Sequence, residues 1–114
     1  MKSMLVCFTA MSLISAGSAL AGPTSVRVQG APPGSYQLLA VNVPYGDLDV
    51  STGSGAKALL DRIDVAAQTV CGAKQGKRPA FTPIDAFDTC TARAVQNAVQ
   101  TVEAPELTKV AAAH

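Results

Sequence analysis

The chain has 114 residues, which allows one domain, and it carries nine basic and eight acidic residues. It has no tryptophan, two tyrosines and three phenylalanines, so its hydrophobic core is expected to be thin. The near-neutral charge argues against an electrostatic role on nucleic acid or as a general membrane binder. A small domain with a thin core often needs a covalent cross-link to be stable.

The first 21 residues predict an export signal. Lys2 gives the segment a positively charged start, and an apolar run over residues 5–16 follows. Ala19-Leu20-Ala21 is a small-x-small cleavage site. The apolar run is too short for a membrane span, and Cys7 lies inside it. We expect cleavage after Ala21, a periplasmic or secreted location, and no membrane span after removal of the signal.

Two cysteines, Cys71 and Cys90, remain after this cleavage, in a mature chain with eight basic and eight acidic residues. Disulfides form and persist in the compartments to which exported proteins go. We therefore predict a Cys71–Cys90 disulfide with Cα atoms about 4.4 to 6.8 Å apart. The pair does not form a C-x-x-C motif, so a thioredoxin-like role is disfavoured.

Residues 22–35 are rich in proline and glycine, which predicts a mostly flexible lead-in, although Val26-Arg27-Val28 could form a short edge strand. Residues 36–45 follow with apolar residues at alternate positions near their end, the pattern of a half-buried strand. Pro44 must lie at the edge or the end of this strand, because proline has no backbone donor. If the two strands pair, the resulting ribbon must pack on helices to be stable.

The first helix is predicted to begin after an N-cap at Ser51 or Thr52 and to end at Cys71, with Gly72 just beyond it. Glycines at positions 53 and 55 are expected to weaken its first turn. One face of this helix is apolar and consists of Ala56, Leu59, Leu60, Ile63, Ala66, Ala67 and Val70.

A second helix is predicted to start with Thr82 as N-cap and Pro83 as its first residue, and to end before Pro105. Its predicted core face consists of Ile84, Phe87, Thr91, Ala94, Val95, Ala98 and Val102. One more turn over residues 106–110 and a frayed tail of residues 111–114 complete the chain. The expected fold is α+β and mostly α: a short edge strand or two-stranded ribbon, then a disulfide-linked antiparallel pair of helices.

These features together resemble a family. Near the start of the chain the shared features are an export signal, a strand ending V-x-V-x-Y, and the run Tyr45-Gly46-Asp47-Leu48-Asp49-Val50 with a Ser-Thr cap. Further along they are the helix ending in Cys71-Gly72, Cys90 in the next helix, and Pro105-Glu106-Leu107-Thr108. They are similar to the UrcA family of small exported bacterial proteins, from about Val41 to the end of the chain. The resemblance implies an UrcA-like domain over residues 36–110 and a periplasmic or secreted protein. It implies no catalytic residue.

Asp47 and Asp49 are candidate ligands for a hard cation, since carboxylate oxygens on an extended segment can face the same way. Asp61 or Asp64 would complete such a site. The alternative is that Asp47 shapes a turn and Asp49 lies before a helix N-terminus, where negative charge is favoured. This alternative is preferred, because cation sites usually draw on more closely clustered acids.

Lys74, Lys77 and Arg78 are candidates for an anion-binding patch, although a solvated basic loop is the simpler interpretation. His114 is the single histidine and the last residue, which disfavours mechanisms that need a fixed histidine base. We expect no enzyme activity and no cofactor.

Two classes of function remain. The favoured one is a non-enzymatic exported protein, a binding or stress-related protein of the envelope, that binds an unknown envelope protein or ligand and no nucleic acid. The alternative is a redox- or metal-responsive protein that uses Cys71 and Cys90 or Asp47 and Asp49.

Overall fold

The computed structural model describes residues 24–114, which form two strands and then three helices. The elements are β1 (Ser25–Gly30), β2 (Leu39–Pro44), α1 (Gly53–Val70), α2 (Ile84–Val102) and α3 (Pro105–Ala112). About half of these residues are helical, so the predicted α+β class is confirmed. The predicted export signal and its cleavage site lie outside the described residues. Within residues 24–114, every helix is too short or too polar to cross a bilayer.

The two strands form an antiparallel ribbon in which Val26 pairs with Val43 and Val28 with Val41. Val26, Val28 and Val43 are buried, and the ribbon contacts both α1 and α2. Of the two predicted arrangements, a short edge strand or a two-stranded ribbon, the structure has the ribbon. Residues 25–30 are a strand and not part of a flexible lead-in, because their valines are covered by helices that the local composition does not reveal.

Pro44 is the last residue of β2, as its missing donor predicts. The Tyr45 N–H donates to the Thr24 carbonyl oxygen over 2.7 Å, so Tyr45 directs its backbone groups toward the first strand. Backbone direction alternates along an antiparallel strand, and Pro44 therefore faces away from β1. The ribbon loses no hydrogen bond at this position.

All seven residues of the predicted apolar face of α1 are buried, and this helix contacts both strands and both other helices. Thr52 is its N-cap, and the Thr52 Oγ1 accepts a hydrogen bond from the Gly55 N–H over 3.1 Å. Cys71 is the C-cap residue, and Gly72 follows with a φ of 103°. Both predicted ends of the helix are confirmed.

Gly55 has a role that the helix propensities did not predict. A Cβ at this position would lie 1.8 Å from the Asp49 carbonyl oxygen, because the loop before α1 passes directly over its first turn. The expectation that glycine only weakens this turn is therefore wrong for Gly55. Here glycine permits the close approach of two backbone segments.

The predicted start of α2 is wrong by one residue. The helix begins at Ile84 with Pro83 as its N-cap residue, and no side chain caps it. The Thr82 N–H donates instead to the Pro79 carbonyl oxygen over 3.1 Å, in a turn before the helix. Ile84 is 58% exposed, so the predicted core face fails at its first residue. Periodicity identifies a helix face but not the length over which other elements cover it.

The core face of α2 begins one turn later, and its buried residues are Phe87, Ala94, Ala98 and Val99. The C-terminal helix is also longer than predicted. In α3, Leu107 is completely buried and the helix continues to Ala112, whereas a frayed tail was expected from residue 111. Ala111 packs against the core, and His114 Nε2 lies 3.2 Å from an Asp64 carboxylate oxygen.

Candidate functional site

The predicted Cys71–Cys90 disulfide is present, with Cα atoms 5.9 Å apart. It joins the C-terminus of α1 to the second turn of α2. Cys71 is fully buried and Cys90 is partly exposed. The Cys90 sulfur lies 3.3 Å from the Ala31 carbonyl oxygen. This is a contact and not a hydrogen bond, because a disulfide sulfur carries no proton. Three chain segments therefore meet at the disulfide.

We call the surface around this junction the disulfide end: residues 31–38 between the strands, residues 73–82 between α1 and α2, and the first two turns of α2. Gly72 lies where the two loops meet, since a Cβ there would be 3.3 Å from both Pro32 and Pro79. The disulfide and this contact hold the bases of both loops together.

Large apolar side chains are exposed at the disulfide end. Tyr36 and Phe81 have exposed fractions of 106% and 101%, so both rings project fully into solvent. Leu38 and Ile84 are 62% and 58% exposed. Among residues 24–114, the other large hydrophobic side chain with comparable exposure is Val65, on α1. Sequence reasoning missed this cluster. Its one available signal was Phe81, a phenylalanine in a polar, proline-rich loop.

The predicted basic patch lies at the same end of the molecule. Lys74 and Lys77 exchange two backbone hydrogen bonds of 3.0 Å, and Gln75 and Gly76 make the tight turn between them. Both lysines are exposed. Arg78 is exposed as well, but its guanidinium donates to the Thr82 carbonyl oxygen and is therefore held against the loop. The two exposed lysine side chains therefore lie on either side of one turn.

A groove of about 630 Å³ lies between the strand connection and α2. Its walls include Pro33, Leu38, Asp85, Cys90 and Arg93. A second groove of about 650 Å³ lies between α2 and α3, and Asp64 and His114 contribute to its wall. The first groove belongs to the disulfide end, and the second lies along the C-terminal helix.

Asp47 is bound to a partner that was not predicted. Arg62 on α1 donates two hydrogen bonds to the Asp47 carboxylate over 2.8 and 2.7 Å, and a third to the Pro44 carbonyl oxygen over 2.9 Å. These hydrogen bonds lower the pKa of Asp47 to about 2, and the Asp47 carboxylate raises the pKa of Arg62. Sequence offered only a weak signal for the pair, an acid in a turn and a base on the next helix.

Asp49 shapes the turn before α1. Its carboxylate accepts hydrogen bonds from the Ser51 hydroxyl over 2.5 Å and the Ser51 N–H over 3.1 Å, and these bonds lower the pKa of Asp49. The Thr52 hydroxyl donates to the Asp49 carbonyl oxygen over 2.8 Å. This is the turn arrangement that was preferred over cation binding.

The four candidate acids are not brought together. Asp61 lies 3.4 Å from Lys57, and Asp64 contacts His114. Burial raises the pKa of Asp64, and the nearby His114 opposes this effect. In the part of the chain that the structure describes, no three carboxylate, cysteine or histidine side chains form a group suited to hold a metal ion.

Comparison with known proteins found no family model, no curated protein and no solved structure that matches this chain. The similarity to the UrcA family therefore rests on the motifs quoted above. The structural features that bear on function are the disulfide junction, the exposed aromatic rings and the basic turn at one end of the molecule.

Proposed function

We propose that this chain is a small, exported, non-enzymatic binding protein of the bacterial envelope, of UrcA type, which acts through its disulfide end. The observation that carries the proposal is the exposure of four large apolar side chains there, two of them aromatic. Large apolar side chains that are exposed at one end of a small soluble domain commonly mark an interaction site. A chain with so few aromatic residues gains core stability by burying them, yet Tyr36 and Phe81 project into water.

The disulfide supports export and presentation of this surface. A bridge between α1 and α2 is compatible with an oxidising compartment, in line with the predicted signal before Gly22. It also fixes the base of both exposed loops on a rigid frame, which is how binding loops are commonly supported. Intact mass of the exported protein should place its N-terminus at Gly22. A product that retains Met1–Ala21 would contradict the proposed localisation.

The alternative is a redox- or metal-responsive protein. Cys71 is fully buried, and a reactive thiol normally needs access to its oxidant or partner. Asp47 and Asp49 already accept hydrogen bonds from Arg62 and Ser51. These observations favour structural roles for both pairs, and the non-enzymatic binding protein is the proposal that we retain.

The test is a pull-down, in which the purified, oxidised chain that begins at Gly22 should retain components of an envelope extract. A variant with serine at Tyr36, Leu38, Phe81 and Ile84 should lose most of this retention. The fold should persist, because exposed side chains contribute little to stability. The matched control is Val65→Ser, an exposed apolar residue elsewhere on the surface. If the fourfold variant retains the same components as the parent, the proposed function is wrong.

A further inference from the structure

We propose that the disulfide end docks on an anionic lipid bilayer, with Phe81 entering the interface and Lys74 and Lys77 lying over headgroup phosphates. This inference rests on the proposed function and names its partner as a lipid surface. It is carried by two independent features of the disulfide end, the exposed aromatic rings and the basic turn between α1 and α2.

The apolar side chains have the geometry of an interfacial anchor. Phe81 is 101% exposed and Tyr36 is 106% exposed, so each ring stands clear of its loop. Aromatic rings are enriched where a protein meets the boundary between headgroups and acyl chains. A fully projecting ring can enter a deformable interface without a preformed pocket in its partner. Leu38 and Ile84 add apolar surface beside the two rings.

The charge distribution at this end complements an anionic surface. Residues 65–84 contain three bases and no acid. The reciprocal hydrogen bonds between Lys74 and Lys77 bring both chains to one turn, and both are exposed. A basic residue near an anionic membrane strengthens binding by about fivefold. The neutral total charge of the mature chain does not oppose this, because electrostatic attraction decays within a Debye length of the surface.

Two acids limit the strength of this attraction. Asp85 and Asp88 follow in the first two turns of α2 and are exposed. Asp85 lines the groove beside Leu38, on the side of α2 that faces the strand connection. Binding is therefore expected to need both the aromatic anchor and the lysines, and to weaken steeply as salt is added.

A protein partner with an acidic surface is the competing explanation, and the structure favours lipid over it. Tyr36 and Phe81 stand on two separate loops and are fully exposed, and neither ring lines the groove at this end. A rigid protein would need separate pockets to receive each ring. A bilayer accepts both rings in any arrangement that reaches the interface.

The experiment uses the absence of tryptophan from the chain. In the oxidised Phe81→Trp variant, the single tryptophan should shift its emission to the blue, and brominated lipid should quench it, with phosphatidylcholine vesicles that contain phosphatidylglycerol. Pure phosphatidylcholine should give a much smaller change. The control Ser54→Trp places the probe in the first turn of α1, roughly 25 Å along that helix from Cys71, and should show neither effect.

Removing the lysine charges distinguishes electrostatic attraction to the lipid headgroups from insertion of the aromatic ring alone. Lys74→Gln/Lys77→Gln in the Phe81→Trp background should weaken partitioning into anionic vesicles by about 25-fold. The matched control Lys57→Gln/Lys109→Gln removes the same charge from α1 and α3 and should weaken it by less than about threefold. Equal losses in both variants would mean that the basic turn is not the docking surface.

Failure of this inference can be told from failure of the proposed function. If the Phe81→Trp emission is unchanged by anionic vesicles, lipid docking is wrong. Retention of an acidic protein from a periplasmic extract, abolished by the same lysine substitutions, would then identify the competing partner and leave the binding function in place. If the protein binds neither anionic vesicles nor any component of the extract, both proposals fail.

Discussion

Arg62 on α1 holds the carboxylate of Asp47 in two hydrogen bonds of 2.8 and 2.7 Å, across the turn that connects β2 to the helix. The same guanidinium donates to the Pro44 carbonyl oxygen at the end of the strand. Strand, turn and helix are thus fixed by one side chain. Both partners are solvent-exposed, so the contribution of the pair to stability is modest and depends on salt.

Asp47→Asn should flatten the pH dependence of stability in acid. Arg62 lowers the pKa of Asp47 from 3.8 to about 2 in the folded chain. A carboxylate with a lowered pKa stabilises the fold when it is ionised, so its contribution is complete above the unfolded value and is lost as the pH falls from about 4 through 2. Thermal unfolding between pH 2 and 7 measures this. The control is Asp61→Asn, an exposed acid that contacts Lys57. An unchanged acid slope in Asp47→Asn would contradict the assignment.

The double variant Asp47→Asn/Asp49→Asn should fold, because asparagine can occupy the same turn positions. Its amide oxygen can still accept both Ser51 hydrogen bonds at position 49 and one of the two Arg62 hydrogen bonds at position 47. Adding calcium to the parent protein should leave its melting temperature unchanged, since both carboxylates already have donors in the fold. Calorimetric titration and thermal unfolding check this. A calcium-dependent rise in melting temperature that disappears in the double variant would favour the metal-responsive alternative.

Gly55→Ala should destabilise the fold, by about 1 to 3 kcal/mol, although alanine is the better helix former. The new Cβ would lie 1.8 Å from the Asp49 carbonyl oxygen, so the loop before α1 must move. Gly53→Ala is the matched control, because its Cβ would meet only a Glu106 carboxylate oxygen at 3.9 Å. We expect that variant to gain up to about 1 kcal/mol. Urea unfolding of the two variants should therefore give opposite signs, and equal signs would rule out the steric explanation.

The elements that sequence predicted well are those fixed by local pattern. The apolar face of α1 follows from a 3.6-residue period, and all seven of its residues are buried. Thr52 and Gly72 mark the helix ends through capping chemistry that acts within four residues. The disulfide was predicted from the expected export and from the two cysteines that remain after the predicted cleavage.

The features that sequence missed depend on contacts between distant segments. Gly55 was expected to weaken a turn, because only the folded chain shows that Asp49 passes over it. Ile84 was assigned to the core by periodicity, but it lies beyond the part of α2 that other elements cover. Asp47 and Arg62 are fifteen residues apart in the chain, so local sequence patterns give only a weak signal for their hydrogen bonds. The disulfide and the basic patch at the disulfide end were named from sequence, but the exposed apolar side chains beside them were missed for the same reason.

The disulfide should be a large part of the stability of this small domain. It closes a loop with a sequence separation of 19 residues, for which the chain-entropy estimate is about 3 kcal/mol. Cys90→Ser tests this with little change in packing, because Cys90 is partly exposed and the buried Cys71 remains as a small apolar residue. Cys71→Ala/Cys90→Ser adds a cavity and should cost more, up to about 5 kcal/mol in total. Urea unfolding of the oxidised parent, the reduced parent and both variants gives the comparison. If the reduced parent and Cys90→Ser unfold at the same urea concentration as the oxidised parent, the bond is not structural, and the redox-responsive alternative gains support.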